Sequence, residues 1–213
     1  MTQIETSTPR EALDLLMAGN QRFVDGAPEH PNQDAARRAE TEASQHPFAV
    51  LFGCSDSRLA AEIIFDRGVG DLFVVRNAGH VVGPEVLGSI EYGVDLLGCP
   101  LVVVLGHESC GAVGAACSVL DNGAAPGGYV RDLVERVAPS VLAARAAGRV
   151  RPDEILAEHV RMTTDLLIDR SRVLAENVAA GRTAVVGLRY RLADGTAHLV
   201  ASHGLDVQVP AAS

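Results

Sequence analysis

Cysteine, histidine and aspartate fall together in two short stretches of this chain. One reads Cys54-Ser55-Asp56-Ser57-Arg58, the other Gly106-His107-Glu108-Ser109-Cys110. Two thiolates and an imidazole, from Cys54, Cys110 and His107, form a donor set that suits zinc. Three protein ligands would leave a fourth position open, the mark of a catalytic zinc. Two thiolates also neutralise the ion's charge. A water in the open position would then be acidified less than at a three-histidine zinc, and would need a hydrogen-bond acceptor. Asp56, two residues from Cys54, can be that acceptor. Arg58 can grip Asp56 by a bidentate pair and hold it off the metal. Released from Arg58, Asp56 would become a fourth ligand, so a closed Cys₂HisAsp site is the alternative. Each piece alone has an ordinary reading: Cys54 as a buried core thiol, Asp56–Arg58 as a loop ion pair.

The two stretches gain weight from the elements that carry them. Phe48–Phe52 and Leu101–Leu105 are continuous apolar runs of strand length, and each ends just before its stretch. Asp71–Arg76 is a further strand between them. Helices are expected over Leu59–Phe65, Pro84–Leu97, about Ser109–Leu120, Tyr129–Ala147 and Asp153–Ala180. Thr183–Arg191 and Thr196–Ser202 are the last strands, joined through Ala193-Asp194-Gly195, a hairpin signal. Strands alternating with helices imply a mainly parallel sheet with right-handed crossovers, here with an antiparallel edge strand and helices on both faces. In such sheets sites form outside the carboxyl ends of strands where strand order reverses. If the second strand lies beyond the first, the first and third are neighbours and Cys54, His107 and Cys110 converge. A helix over Thr8–Asp25 opens the chain, with Thr8, Pro9 and Glu11 as its start signal. A polar connector over 27–46 follows, so a single domain is expected, with 1–46 as a helical arm and 47–213 as an α/β core.

Composition narrows the function classes. Lys plus Arg is 18 and Asp plus Glu is 27 in 213 residues, a net charge of −9. That disfavours a nucleic-acid groove or an anionic membrane surface. No apolar run reaches the ~18 residues that span a bilayer. The N-terminal stretch lacks a basic segment followed by an apolar one, so a cytoplasmic location is expected. Four cysteines are too few for a disulfide scaffold. Cys99 and Cys117 have no partner at ligand spacing and read as structural. His30, His46, His159, His198 and His203 read as surface or locally hydrogen-bonded, and His80 follows the second strand near the presumed site.

Cys54-Ser55-Asp56-Ser57-Arg58, Val75-Arg76-Asn77-Ala78-Gly79 and Gly106-His107-Glu108-Ser109-Cys110-Gly111-Ala112-Val113 together resemble the β-class carbonic anhydrases. The resemblance runs from Ala18-Gly19-Asn20-Gln21-Arg22-Phe23 through the fourth strand. It implies one zinc ion per chain, held by Cys54, His107 and Cys110, with Asp56 and Arg58 as the family's dyad. It implies reversible hydration of carbon dioxide to bicarbonate and a proton. It also implies a substrate pocket of Gln45, Phe73, Tyr92 and the Gly111 amide, the last near a helix N-terminus that suits an anionic oxygen. In the family part of the apolar wall comes from a neighbouring protomer, which implies a homodimer or dimer of dimers with the N-terminal helix embracing the partner. One subgroup has a non-catalytic bicarbonate site and a Trp three residues before the first cysteine ligand. Leu51 stands there in this chain, so the resemblance favours an open, water-bearing zinc. Two other functions fit the same residues: a related zinc hydrolase acting on carbonyl sulfide or carbon disulfide, and a non-catalytic zinc-binding regulatory protein. The intact dyad and pocket residues argue against the regulatory reading.

Overall fold

The computed structural model describes residues 8–208; the first seven residues of the expected N-terminal arm lie outside them. Helix α1, Pro9–Val24, starts on a reciprocal cap. The Thr8 hydroxyl oxygen accepts from the Glu11 N–H and the Glu11 carboxylate accepts from the Thr8 N–H. Its face of Ala12, Leu13 and Leu16 is buried in the core. Asn20 pins the helix further, donating to the Ile64 and Gly195 carbonyls and accepting from the Ala197 N–H. The connector carries one short helix, α2, Ala35–Glu40.

The core follows as β1 (Ala49–Cys54), α3 (Ala61–Ile64), β2 (Leu72–Asn77), α4 (Pro84–Glu91), β3 (Leu101–His107), α5 (Gly111–Asn122), α6 (Val130–Ala146), α7 (Pro152–Arg170), α8 (Arg172–Ala179), β4 (Ala184–Tyr190) and β5 (Ala197–His203). The five strands form one sheet in the order β2-β1-β3-β4-β5. The first three pairings are parallel and β4–β5 is antiparallel. β1 and β3 are buried along their whole length, as strands covered on both faces must be. β2, at the edge, is only half-buried. Among the described residues no helix is long and apolar enough to cross a membrane.

Four elements differ from the sequence expectation. β1 and β3 run two residues further than their apolar runs, so Cys54 and His107 are the last residues of their strands rather than the first beyond them. Backbone pairing with β2 and β4 reaches those positions, Cys54 to Asn77 and His107 to Tyr190. The helix expected over Asp153–Ala180 is two helices. Ser171 breaks it with an extended backbone (φ −104°, ψ 106°), its Oγ accepting from the Leu174 N–H to cap α8 and donating to Glu91 at 2.6 Å. The helix expected over Pro84–Leu97 keeps its α geometry only to Glu91 and continues as one π-helical turn over Tyr92–Leu96.

Candidate metal centre

Strand order brings β1 and β3 side by side, with Gly53 paired to Leu105. Their carboxyl ends place Cys54 and His107 together, and the turn after β3 returns Cys110 beside them at the N-terminus of α5. The ligand atoms of Cys54, His107 and Cys110 all lie within 4.8 Å of one another, and all three residues are buried. The two sulfurs are 4.0 Å apart. A tetrahedral zinc with bonds of about 2.3 Å to two sulfurs sets them about 3.8 Å apart, so the pair is already at the spacing such an ion needs.

The histidine is also set for ligation. Its Nδ1–H donates to the Glu108 carbonyl at 2.8 Å, which fixes the tautomer with a bare Nε2. That Nε2 is buried and has no hydrogen-bond partner. A buried imidazole nitrogen without a partner is costly unless something fills it. Here it faces the two sulfurs, so the donor set fits a zinc ion.

Cys54 Sγ accepts from the Gly79 N–H at 3.3 Å. The Cys54 thiol is held down at about 4, first by the Cys110 thiol and then, against burial, by the Gly79 and Asp56 N–H groups. Cys110 moves the other way, because it shares its proton with Cys54 and is desolvated. Two thiolates at this spacing repel, and a divalent cation between them removes the conflict.

Asp56 and Arg58 make the bidentate pair expected of them. Arg58 Nε donates to Asp56 Oδ1 at 2.9 Å and Nη2 to Oδ2 at 2.8 Å, with the Arg58 backbone N–H adding a third bond to Oδ1. Arg58 holds the Asp56 carboxyl far below the usual carboxylate range. Asp56 Oδ2 stands 3.9 Å from His107 Nε2, beside the ligand cluster. Arg58 Nη2 also reaches the Ser109 carbonyl at 3.3 Å, tying the β1 and β3 turns together.

Of the remaining expected site residues, Gln45, Phe73 and Tyr92 are not at the cluster within one chain. Gln45 and Tyr92 line a groove of about 740 Å³ that contains none of the three ligands. Phe73 stacks on Tyr92 with ring centres 5.8 Å apart. It lies four residues before Asn77, the register partner of Cys54, and so about 13 Å down the sheet. Gly111 is exposed at the first position of α5, next to Cys110.

Several positioning contacts had no signal in residue spacing. Arg76 donates to the Cys54 carbonyl (3.0 Å) and the Asp56 carbonyl (2.8 Å), clamping the turn between ligand and dyad. Its only trace was its place in the Val75–Gly79 stretch. His159 is a hydrogen-bonding residue, but of the interior: it lies 3 % exposed against the fully buried His80, rings 4.4 Å apart. The i, i+3, i+4 pattern of α7 marks an inward face without saying what it meets. Cys99 is buried, its thiol donating to the Pro47 carbonyl, and burial pushes it up to about 12, as for a structural thiol.

A family model described as carbonic anhydrase matches residues 49–197. Carbonic anhydrase 2 of Mycobacterium tuberculosis is 55% identical over 193 residues, covering 91% of this chain and 93% of that protein. A carbonic anhydrase of Mycolicibacterium smegmatis is 56% identical over 193 residues, covering 91% and 94%. Among solved structures, a tetrameric β-carbonic anhydrase from Sordaria macrospora superposes with a TM-score of 0.68 at 20% identity, covering 89% of this chain and 98% of that one.

Proposed function

The chain belongs to the β-class carbonic anhydrases, and from that membership we propose how its residues divide the work of hydrating carbon dioxide to bicarbonate and a proton. Cys54, His107 and Cys110 hold one zinc ion. The observation that carries this is the convergence of their ligand atoms, with the bare His107 Nε2 facing two sulfurs at zinc spacing. When bound, zinc would supply a Lewis-acid position that acidifies water near neutral pH.

The chain's own groups do the rest. Asp56 is a fixed, anionic acceptor beside the fourth position, able to orient a water or hydroxide by taking its hydrogen bond. Arg58 supplies the orientation, because its fork engages both carboxylate oxygens and would hold Asp56 off the metal. With Asp56 held by Arg58, a bound zinc would keep its fourth position for water. We assign the Gly111 N–H, at the N-terminus of α5 beside Cys110, to an oxygen of the bicarbonate product, a role the helix dipole supports.

Carbon dioxide is uncharged, so its binding needs an apolar wall that limits competing water. Within one chain Gln45 and Tyr92 line a separate groove and Phe73 stacks on Tyr92. We assign them to the site of a neighbouring protomer in a homodimer or dimer of dimers. The exposure of Tyr92 (44 %) and Leu96 (68 %) along that groove supports an interface there. Residues 1–213 are proposed to act as one unit, an N-terminal helical arm on an α/β core. Its net charge of −9 and four free thiols suit a reducing, cytoplasmic location.

The test is carbon dioxide hydration by stopped flow on protein of known zinc content. The wild type is expected to carry about one zinc per chain and to turn over. Cys110→Ala is expected to lose both. Full zinc occupancy in Cys110→Ala would overturn the ligand assignment.

A further inference from the structure

The turn that follows β2 has an unusual backbone. Gly79 sits in the left-handed region (φ 74°, ψ 13°), and His80 follows it there at φ 41°. Two successive left-handed residues, the second with a bulky side chain, persist only where neighbours over-determine them. The product of this geometry is specific: the Gly79 N–H points at the Cys54 sulfur, 3.3 Å away.

What holds the turn is a buried polar pair from two helices. His159 of α7 places Nε2 2.8 Å from the Gly79 carbonyl. Ser140 of α6 places Oγ 2.9 Å from His159 Nδ1. A carbonyl only accepts, so Nε2 carries the proton, Nδ1 is the acceptor, and the Ser140 hydroxyl donates to it. Both residues are 3 % exposed. Burial keeps the imidazole neutral, the form this string of bonds requires. Asn77 closes the other side of the turn, its amide bonding both the N–H and the carbonyl of Val81. Neither Ser140 nor His159 touches the ligand cluster, and packing alone would be met by apolar side chains.

We propose that His159, oriented by Ser140, is a positioning residue for the metal site: it fixes the Gly79 turn so that its N–H donates to the Cys54 thiolate. An N–H bond draws charge from a thiolate, making it a weaker donor and leaving the bound ion more electrophilic. It also fixes the sulfur before metal arrives, which favours binding. The inference rests on the assignment of Cys54 as a metal ligand.

The experiment uses the full-length protein with zinc or cobalt(II) alone as probe. Zinc affinity is read by chelator competition and thiolate character by the sulfur-to-cobalt absorption band. In His159→Leu, zinc affinity is expected to fall roughly 10-fold, and the band is expected to move to longer wavelength as the sulfur becomes more electron-rich. Ser140→Ala keeps the ring but frees its Nδ1, and is expected to move both readouts the same way by less. His159→Gln, which retains a donor near the Nε2 position, is expected to recover most of the loss. Leu174→Ala, a buried position in α8, serves as a control that lowers melting temperature and leaves the cobalt band unmoved. A wild-type band and wild-type affinity in metal-loaded His159→Leu, or in Ser140→Ala and His159→Gln should the leucine variant not fold, would overturn the proposal. Absence of any sulfur band in the wild type would instead overturn the ligand assignment, and this inference with it.

Discussion

Replacing Gly79 by alanine should damage both thiolate ligands through a single methyl group. A Cβ at position 79 falls 2.6 Å from the Ala112 Cβ, where carbon atoms normally rest about 3.5–4.0 Å apart. The turn and the first turn of α5 must therefore separate by about 1 Å. The left-handed backbone costs an L-residue about 1–2 kcal/mol, and overpacking of this kind about 1–3 kcal/mol. The reduced freedom of the unfolded chain returns at most about 1 kcal/mol. The net is a loss of roughly 1–5 kcal/mol, which for a chain of this size lowers the melting temperature by roughly 2–20 °C. The site suffers as well, because the two surfaces forced apart carry the Gly79 N–H that donates to Cys54 and the start of α5, next to Cys110. Zinc affinity should fall roughly 10- to 100-fold. Calorimetry and chelator competition measure the two effects, and Gly114→Ala provides the contrast. Gly114 lies inside α5 with open space around its would-be Cβ, so alanine there should raise stability by about 0.5–1 kcal/mol. Wild-type melting temperature and zinc affinity in Gly79→Ala would refute the packing argument.

Other perturbations reach different parts of the account. Arg58→Ala should keep its zinc and lose turnover by roughly 10- to 100-fold, with Arg58→Lys recovering only part, since an ammonium cannot engage both Asp56 oxygens; near-wild-type turnover would reduce the dyad to a loop ion pair. Asp66 is buried and accepts from Arg22 Nε (2.6 Å) and the Glu29 and His30 N–H groups (3.0 and 2.9 Å), anchoring α1 and the connector to the core. Asp66→Ala should cost about 3–5 kcal/mol, measured by denaturant titration. Burial pushes the Asp66 carboxyl up, but the Glu29 N–H, Arg22 and the His30 N–H together leave it below its ordinary value. Its contribution to stability is therefore present above about pH 4 and lost as pH falls through the lower folded value. Acid unfolding of wild type and Asp66→Ala should converge at the low end; parallel curves would contradict the linkage. Tyr92→Ala should reduce turnover without loss of zinc, and a verified monomer retaining full specific activity would exclude completion of the site by a partner.

Much of this could be read before the structure because the informative residues are local. The Thr8-Pro9-Arg10-Glu11 cap, the unbroken apolar runs of β1 and β3 and the Asp194-Gly195 turn each encode their element within a few residues. The ligands and the dyad sit where those elements end, so their meeting followed once β1 and β3 were neighbours. Contacts between distant segments were not legible. Ser171 looks like any helical serine until Glu91, 80 residues away, takes its hydroxyl and lets it cap α8. His159 looks like a surface histidine until α7 is seen to face the Gly79 carbonyl, also 80 residues distant. Arg76 reads as a strand residue, yet its guanidinium holds two carbonyls of the neighbouring turn. In each case the residue's type is ordinary and only its partner is informative. The groove of Gln45 and Tyr92 belongs to the same class, one step further out, because its proposed partner is another copy of the chain.

X-ray absorption at the zinc edge on loaded protein tests the central claim most directly. Ligation by Cys54, Cys110 and His107 with one further light atom predicts two sulfurs at about 2.3 Å and two nitrogen or oxygen neighbours at about 2.0–2.2 Å. A first coordination sphere with no sulfur, or with only one, would contradict it.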